Sequence, residues 1–402
     1  MTAPPRDPRA PNLMTLVALA GVSALTMSVL LPSLPQIAAH FGTDYAFMQL
    51  SVSAYFAVTG LLQLAIGPLA DRFGRRPVVL GAVGIFVLAD IACIYAPSGE
   101  AFIAARLVQG AVVAGMALSR TIIRDIAPPE RAASLIGYVT MGMAIAPMMG
   151  PAIGGWLGQS FGWQAIFWFL AALGAGLFAL CWADLHETQR ERAPDLTRQL
   201  RETPELIRAR RFWGYVLTSA LAAGTYYAYL GGAPIVAARI YGQGEAMTGL
   251  LMGLISLGYI GGNFLSGRLA HAWGMQRMIL TGTLVATGCI AIAGLGVAAG
   301  ITHPLMFFGA MIGVGLGNGM TLPSASVGLM NIRPRLAGTA SGVGGAFMVI
   351  GGGALSAITG IIGQWGTTAL PLIGFLGLVS AASVASGLWV RALERAAAAR
   401  PA

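Results

Sequence analysis

From Gly67 to Pro77 the chain reads Gly-Pro-Leu-Ala-Asp-Arg-Phe-Gly-Arg-Arg-Pro, a dense charge cluster between two long apolar stretches. Asp71, Arg72, Arg75 and Arg76 have one chemistry in common, charge-assisted hydrogen bonding, with the carboxylate accepting and the guanidinium donating. Asp71 stands where an apolar run ends. There it can accept from the N-terminus of a neighbouring helix, whose dipole favours an anion. Arg75 can pair with Asp125, at the end of another apolar run. Gly67 and Gly74 permit close approach and a tight turn. Hydrocarbon penalises so many charges, so the segment is expected at a membrane surface, as a short loop joining two spans.

A second set of polar residues lies inside the apolar runs. Asp90 is the one acid well within such a run, and no carboxylate occurs between Glu245 and Glu394. Arg106-Leu-Val-Gln109-Gly110 opens the next run. Asp90 and Arg106 are about equidistant from the turn near Ser98, so they sit at similar depth. Either they pair, or Arg106 faces a central cavity. Chemistry of other kinds has little to work with. His40, His186, His271 and His303 all fall at run ends or in loops. No H-E-x-x-H, paired midspan acids or nucleophile elbow is present, which argues against an enzyme. Cys93, Cys181 and Cys289 are isolated in apolar runs without metal or disulfide spacing and read as small buried hydrophobes; no metal is expected.

These residues need a scaffold, and composition indicates which. Of 402 residues, 56% are hydrophobic and only 10% charged, against about 25% charged in a soluble domain. Mean hydropathy is +0.74. Apolar runs long enough to cross a bilayer as helix fall near 13–31, 48–69, 78–95, 102–124, 134–157, 164–184, 212–231, 247–269, 278–299, 304–329, 337–362 and 369–391. The short alternating segments of a β-barrel are absent. The expected fold is an all-α polytopic membrane protein of twelve transmembrane helices. The first run is too long for a signal-peptide core and lacks an obvious cleavage site, so it is expected to be the first span.

The net charge is +9, and every Lys/Arg position is arginine. Nearly all arginines lie in one set of loops under a twelve-span layout, whereas the opposite loops hold only Arg239. This positive-inside bias predicts both termini in the cytoplasm. The basic balance is thus topology, and no nucleic-acid partner is expected. One long polar stretch, 186–211, divides the chain into an N-terminal bundle of six helices (1–185) and a C-terminal one (212–402). Leu196, Leu200, Leu206 and Ile207 within it fit either a short amphipathic surface helix or a solvated connector. The two parts repeat. Gly67-Pro-Leu-Ala with Gly74 and Arg76 returns as Gly267-Arg-Leu-Ala with Gly274 and Arg277, and Gly137, Gly155, Gly158 and Gln159 return as Gly342, Gly360, Gly363 and Gln364. Matches at nearly one offset indicate internal duplication, a transporter architecture with its binding site near the midplane.

The segment Gly67–Pro77 resembles the loop between spans two and three of the major facilitator superfamily, G-x-L-a-D-R-x-G-R-R, with every named position filled. Arg106-x-x-Gln109-Gly110 matches that family's R-x-x-Q-G pattern. The run Gly137, Ala146, Gly150, Pro151, Gly154 resembles the span-five signature of its drug antiporters, with Ala146 in place of one glycine. Ser28-Val-Leu-Leu-Pro32-Ser-Leu-Pro35 resembles the D-x-x-L-P-x-x-P ending of span one in bicyclomycin- and chloramphenicol-resistance transporters, with Ser28 where the aspartate stands. The resemblance implies two pseudo-symmetric six-helix bundles that rock about a midplane site. It implies that the charge network around Asp71, Arg75 and Asp125 latches the cytoplasmic side shut; simple topology signalling is the alternative. It also implies export of small compounds from a bacterial inner membrane, in exchange for protons and without a cofactor. Import, or export of one dedicated metabolite, is the alternative within the family, and a receptor or sensor the alternative outside it. With Ser28 uncharged, Asp90 becomes the leading coupling carboxylate, helped by Arg106 and Gln109. With so few acids, neutral or weakly charged amphipathic compounds are the expected substrates. Tyr55, Gln63, Met116, Met141, Tyr226, Tyr229, Asn263 and Asn318, at roughly midspan depth, either line the cavity or pack the core. The chain is expected to work as a monomer in the lipid bilayer.

Overall fold

The computed structural model describes residues 11–127, 129–188, 205–333 and 336–398. Among these there are helices and no strands. Nine helices are long and apolar enough to cross a membrane: Tyr45–Phe73, Arg75–Ile94, Gly99–Ile126, Gln164–Asp184, Glu245–Trp273, Met275–Ala298, Pro304–Asn331, Thr339–Ile362 and Leu370–Ala396. The shorter apolar helix Leu13–Leu25 precedes them, and Pro129–Phe161 and Arg210–Arg239 fall between them, with 33 and 30 residues. In chain order these are spans one to twelve.

Two boundaries differ from the expectation for a physical reason. Span one does not end near residue 31. Its helix stops at Leu25, passes through turns and a 3-10 segment Leu31–Ser33, and resumes as Leu34–His40. Pro32 and Pro35 each lack the N–H that would continue the helix, and each ring crowds the preceding turn. The predicted loop at Gly67–Pro77 is mostly helix. Span two continues through Pro68 to Phe73, and span three starts at Arg75. Gly74 alone makes the turn, at φ 95°, and Gly274 repeats it at φ 77°. Only glycine adopts this left-handed backbone without strain, which is why the repeat keeps it.

Helices in lipid gain little from apolar contact alone, so close packing through small residues holds them. Spans one and five, and three and six, pack within the first six; spans seven and eleven, eight and ten, and nine and ten pack within the last six. The two largest joins between the groups are spans two with eleven and five with eight, with smaller ones from spans one and two to spans seven and eight. These joints lie toward the end of the molecule opposite the arginine-rich loops. There one apolar cluster runs across the boundary, from Leu30, Leu34, Met48 and Phe56 to Ala233, Leu251 and Met252. At the arginine-rich end the buried clusters do not cross: one, from Leu16 and Ile66 to Ile123 and Leu185, stays within the first six spans, and another, from Phe212 and Tyr215 to Leu329 and Val390, stays with the last six. The molecule is closed at one end and parted at the other. Leu206 is buried and Ile207 exposed; Leu196 and Leu200 lie outside the described residues.

Candidate functional site

Asp90, Arg106, Gln109 and Tyr55 are all fully buried in the first six spans. Asp90 lies near the end of span three, and Arg106 and Gln109 occupy successive turns of span four. Asp90 and Arg106 form neither the direct pair nor the cavity-facing arrangement that spacing allows. Gln109 stands between them: its amide oxygen accepts from Arg106 Nη1, and its amide nitrogen donates to Asp90 Oδ1. An amide suits this place, since one end accepts from the cation and the other donates to the anion.

Arg106 has a second task that spacing did not reveal. Its Nη2 donates to the Thr26 carbonyl at 2.7 Å. Thr26 caps the first helix of span one, so the arginine satisfies a carbonyl where the proline-broken helix ends, and its charge suits the negative end of that dipole. The guanidinium carbon also lies 4.1 Å from the centre of the Tyr55 ring, a cation–π contact strengthened by desolvation. Asp90 Oδ2, Arg106 Nε and the Tyr55 hydroxyl have no hydrogen-bond partner among the described residues. Leaving such groups unmet costs about 1–3 kcal/mol each, more than a purely structural pair needs to bear. From Tyr55 the contacts continue to Phe56 and on to Tyr227 of span seven, with ring centres 6.2 and 4.9 Å apart. A titratable group in span three is thereby joined to the seam between the first and last six spans.

The charge cluster forms a second site at the arginine-rich end. Arg75 Nη1 donates to Asp71 at 2.5 Å and Arg75 Nε to Asp125 at 3.2 Å. Arg75 is 7% exposed, so this ion pair is better shielded than a surface one. The acid at the N-terminus of span three is Glu187. Its carboxylate accepts from the backbone N–H of Arg75 at 3.0 Å and of Arg76 at 3.3 Å. Gly74 and Arg75 have no capping side chain of their own, and Glu187, just past span six, supplies one. Arg76 donates to the Trp182 carbonyl at 3.0 Å and lies over the Trp182 ring, while Arg72 lies over Phe73. The second copy has a different network. Glu394 accepts from Arg211 at 2.9 and 2.5 Å and from the Tyr215 hydroxyl at 3.0 Å, and Tyr215 accepts from Gln276.

At the closed end, hydrogen bonds cross between the two groups of spans. Ser33 donates to Glu245. The Ala246 N–H donates to Gln159 at 2.9 Å, Gln49 donates to Ser356 at 2.9 Å, and the Tyr45 hydroxyl donates to the Gly231 carbonyl at 2.9 Å. Span five reaches both neighbours through its small residues. Gly150 and Gly154 lie against Ser28 and the Val29 carbonyl of span one, while Gly155 lies against the backbone of Glu245 and the Pro151 carbonyl against Gly249 of span eight. Ala146 packs beside span one's Leu25 and Val29 cluster. Ser28 is buried there.

The residues expected to line a cavity divide. Gln63, Met116, Tyr226 and Asn263 are half-buried, and Asn263 returns its amide to the Tyr259 carbonyl. Asn318 is buried. Tyr229 is a core residue, packed on Phe307 and Phe308; a lone aromatic in an apolar run does not announce its face. Tyr55 is buried on Arg106. Gly137 and the Met141 side chain lie outside the described residues. Arg120 lies within span four, and its Nη2 donates to Met143 Sδ at 3.4 Å.

The profile of the Major Facilitator Superfamily matches residues 16–357. The chain is 30% identical over 363 residues to an uncharacterized MFS-type transporter, YdgK, of Bacillus subtilis (strain 168), covering 88% of this chain and 89% of that one. It is 28% identical to a chloramphenicol resistance protein of Pseudomonas aeruginosa, covering 85% and 81%. It is likewise 28% identical to multidrug resistance protein D of Escherichia coli (strain K12), covering 90% and 91%. A bacterial homologue of the human lysosomal transporter spinster, in an inward-facing and occupied conformation, superposes with a TM-score of 0.74 at 18% identity over 95% of this chain and 96% of that one. With its all-α fold, duplicated glycine turns and buried charge network, the chain belongs to the major facilitator superfamily of membrane transporters.

Proposed function

We propose that the protein exports small amphipathic compounds, neutral or weakly charged, across a bacterial inner membrane in exchange for protons. The buried Asp90–Gln109–Arg106 network carries this reading. It is a titratable acid inside the membrane, tied by an amide to a cation that holds both a broken helix and an aromatic chain to the seam. The resistance proteins that the chain resembles support drugs as the substrate class. With the arginine-rich end assigned to the cytoplasm by the positive-inside bias, the parted end opens to the cytoplasm and both termini lie there. The first and last six spans then act as the two rocking bundles, 1–185 and 212–402, joined by 186–211. Arg120 and Met116, one turn apart on span four, offer a donor and a soft apolar surface to a ligand.

The test is transport in inverted vesicles and in proteoliposomes against a compound panel. Accumulation in inverted vesicles that collapses with the proton gradient is expected. Uptake in right-side-out vesicles under the same gradient would reverse the assignment. A marked preference for dications would contradict the charge argument.

Under this orientation the Asp71–Arg75–Asp125 cluster sits on the open side, within the first bundle, ready to meet the second bundle when that side closes. Asp71→Asn removes one charge from a shielded network and leaves Asp125. Transport is expected to fall about five- to tenfold, as for a loss of roughly 1–1.5 kcal/mol, with membrane insertion unchanged. Unaltered transport would leave the cluster as a topology signal only.

A further inference from the structure

Between spans nine and twelve, at the arginine-rich end, a groove of about 490 Å³ opens on the outer surface of the last six spans. Its walls include Trp273, Arg277, Leu280, Leu284, Leu388 and Arg391. On span nine, Arg277, Leu280 and Leu284 share one face by helical spacing, as Leu388 and Arg391 do on span twelve. Each helix therefore carries a guanidinium near the end and an apolar stripe running inward from it. Leu284 lies about 10 Å deeper than Arg277 at the helical rise per residue. Trp273 stands at the mouth, where interfacial aromatics collect.

Among the described residues neither Arg277 nor Arg391 forms an ion pair or a side-chain hydrogen bond. No carboxylate lies between Glu245 and Glu394, and Glu394 is occupied by Arg211 and Tyr215. The repeat sharpens the contrast. In the first copy Arg76, two residues past the turn glycine, is satisfied by the carbonyl and ring of Trp182 from span six, whereas Arg277 stands three residues past its glycine. In the second copy the same corner, formed by spans nine and twelve, leaves its guanidinium open.

We propose that this groove binds an anionic phospholipid, its phosphate held between Arg277 and Arg391 and an acyl chain laid along Leu280, Leu284 and Leu388. Basic pockets between membrane helices on the positive side recognise such headgroups. Apart from Trp273, at the last turn of span eight, its walls belong to spans nine and twelve and to none of spans two, five and eleven, so its ligand is structural or modulatory lipid and not cargo. A neutral lipid would fill the apolar stripe but leave both guanidiniums unmatched.

The full-length protein, purified in mild detergent, would be titrated with phosphatidylglycerol and with phosphatidylcholine and the bound lipid counted by native mass spectrometry. One phosphatidylglycerol is expected to be retained roughly ten- to thirtyfold more tightly than phosphatidylcholine, the size set by two charge contacts. The preference should vanish in Arg277→Ala/Arg391→Ala, persist in Arg277→Lys/Arg391→Lys and persist in Arg268→Ala, whose guanidinium lies over Phe264 outside the groove. Thermal unfolding would confirm folded variants, with Arg277→Gln/Arg391→Gln read if the alanine pair does not purify. Equal retention of the two lipids, or a preference that survives loss of both arginines, would overturn the assignment. So would displacement by inorganic phosphate alone at comparable concentration, which marks an anion site without a lipid.

Discussion

Asp90→Asn should abolish proton-driven efflux while leaving gradient-independent substrate exchange. The substitution is nearly isosteric and keeps an oxygen that can accept from Gln109, so the link to Arg106 survives in outline. What it removes is the ability to gain and lose a proton. In the native network the carboxylate, when ionised, balances the buried guanidinium through the Gln109 amide; when protonated, it leaves Arg106 as an uncompensated buried cation. That difference is the free energy by which a proton can bias one arrangement of spans one to four over another. Asn fixes the network in the second condition. A loss of at least about a hundredfold in proton-driven efflux is expected, equivalent to roughly 2.7 kcal/mol, with Asp90→Glu recovering part of it. Counterflow in proteoliposomes without a gradient separates coupling from folding, because an unfolded variant loses both. Coupled efflux at the native level in Asp90→Asn would exclude this acid. Arg106→Lys should not substitute for arginine here, because a point ammonium cannot hold Gln109 and the Thr26 carbonyl while lying flat on Tyr55.

The membrane class, the duplication and the similar depth of Asp90 and Arg106 were legible because each depends on periodicity or on distance along one helix. What was not legible depends on contacts made by distant segments. Gln109 was recognised as part of a motif, but its position between acid and base required spans three and four to be placed side by side. The Thr26 carbonyl became an acceptor only because Pro32 and Pro35 interrupt span one, a consequence visible in the residues yet not in the hydrophobic run. The charge cluster from Gly67 to Pro77 misdirected the reading in the opposite way. It suggested a loop, but the helix runs on through Pro68, since a membrane helix tolerates a proline where neighbours meet the freed carbonyl, and only Gly74 turns. Glu187 read as the start of a solvated linker. It caps span three because span six ends beside the start of span three, across 112 residues of sequence. Nothing in the composition says which end of the molecule is closed, since the same two bundles can meet at either end.

Span five supplies a test in which adjacent glycines should behave oppositely. A side chain at Gly154 would meet the Val29 carbonyl of span one, inside the first six spans. Span one and span five are neighbours in every arrangement of the two bundles, so Gly154→Leu has no conformation in which to relax. It is expected to lower thermal stability by about 1–3 kcal/mol or more, the cost of overpacking a close contact, and to reduce folded yield. A side chain at Gly155 would instead meet the Glu245 backbone of span eight, across the seam. That contact exists only while this end is closed, so Gly155→Leu can relax by parting the bundles there. It should purify with near-native stability and no transport. A cysteine placed at Ser356, which holds Gln49 at 2.9 Å in the closed seam, should then react with an impermeant thiol reagent in the Gly155→Leu background and resist it in the parent. Equal damage to stability from both leucines would show that the small residues of span five only pack. Protection of the Ser356 cysteine in a stable Gly155→Leu variant would show that the seam does not part where spans five and eight meet.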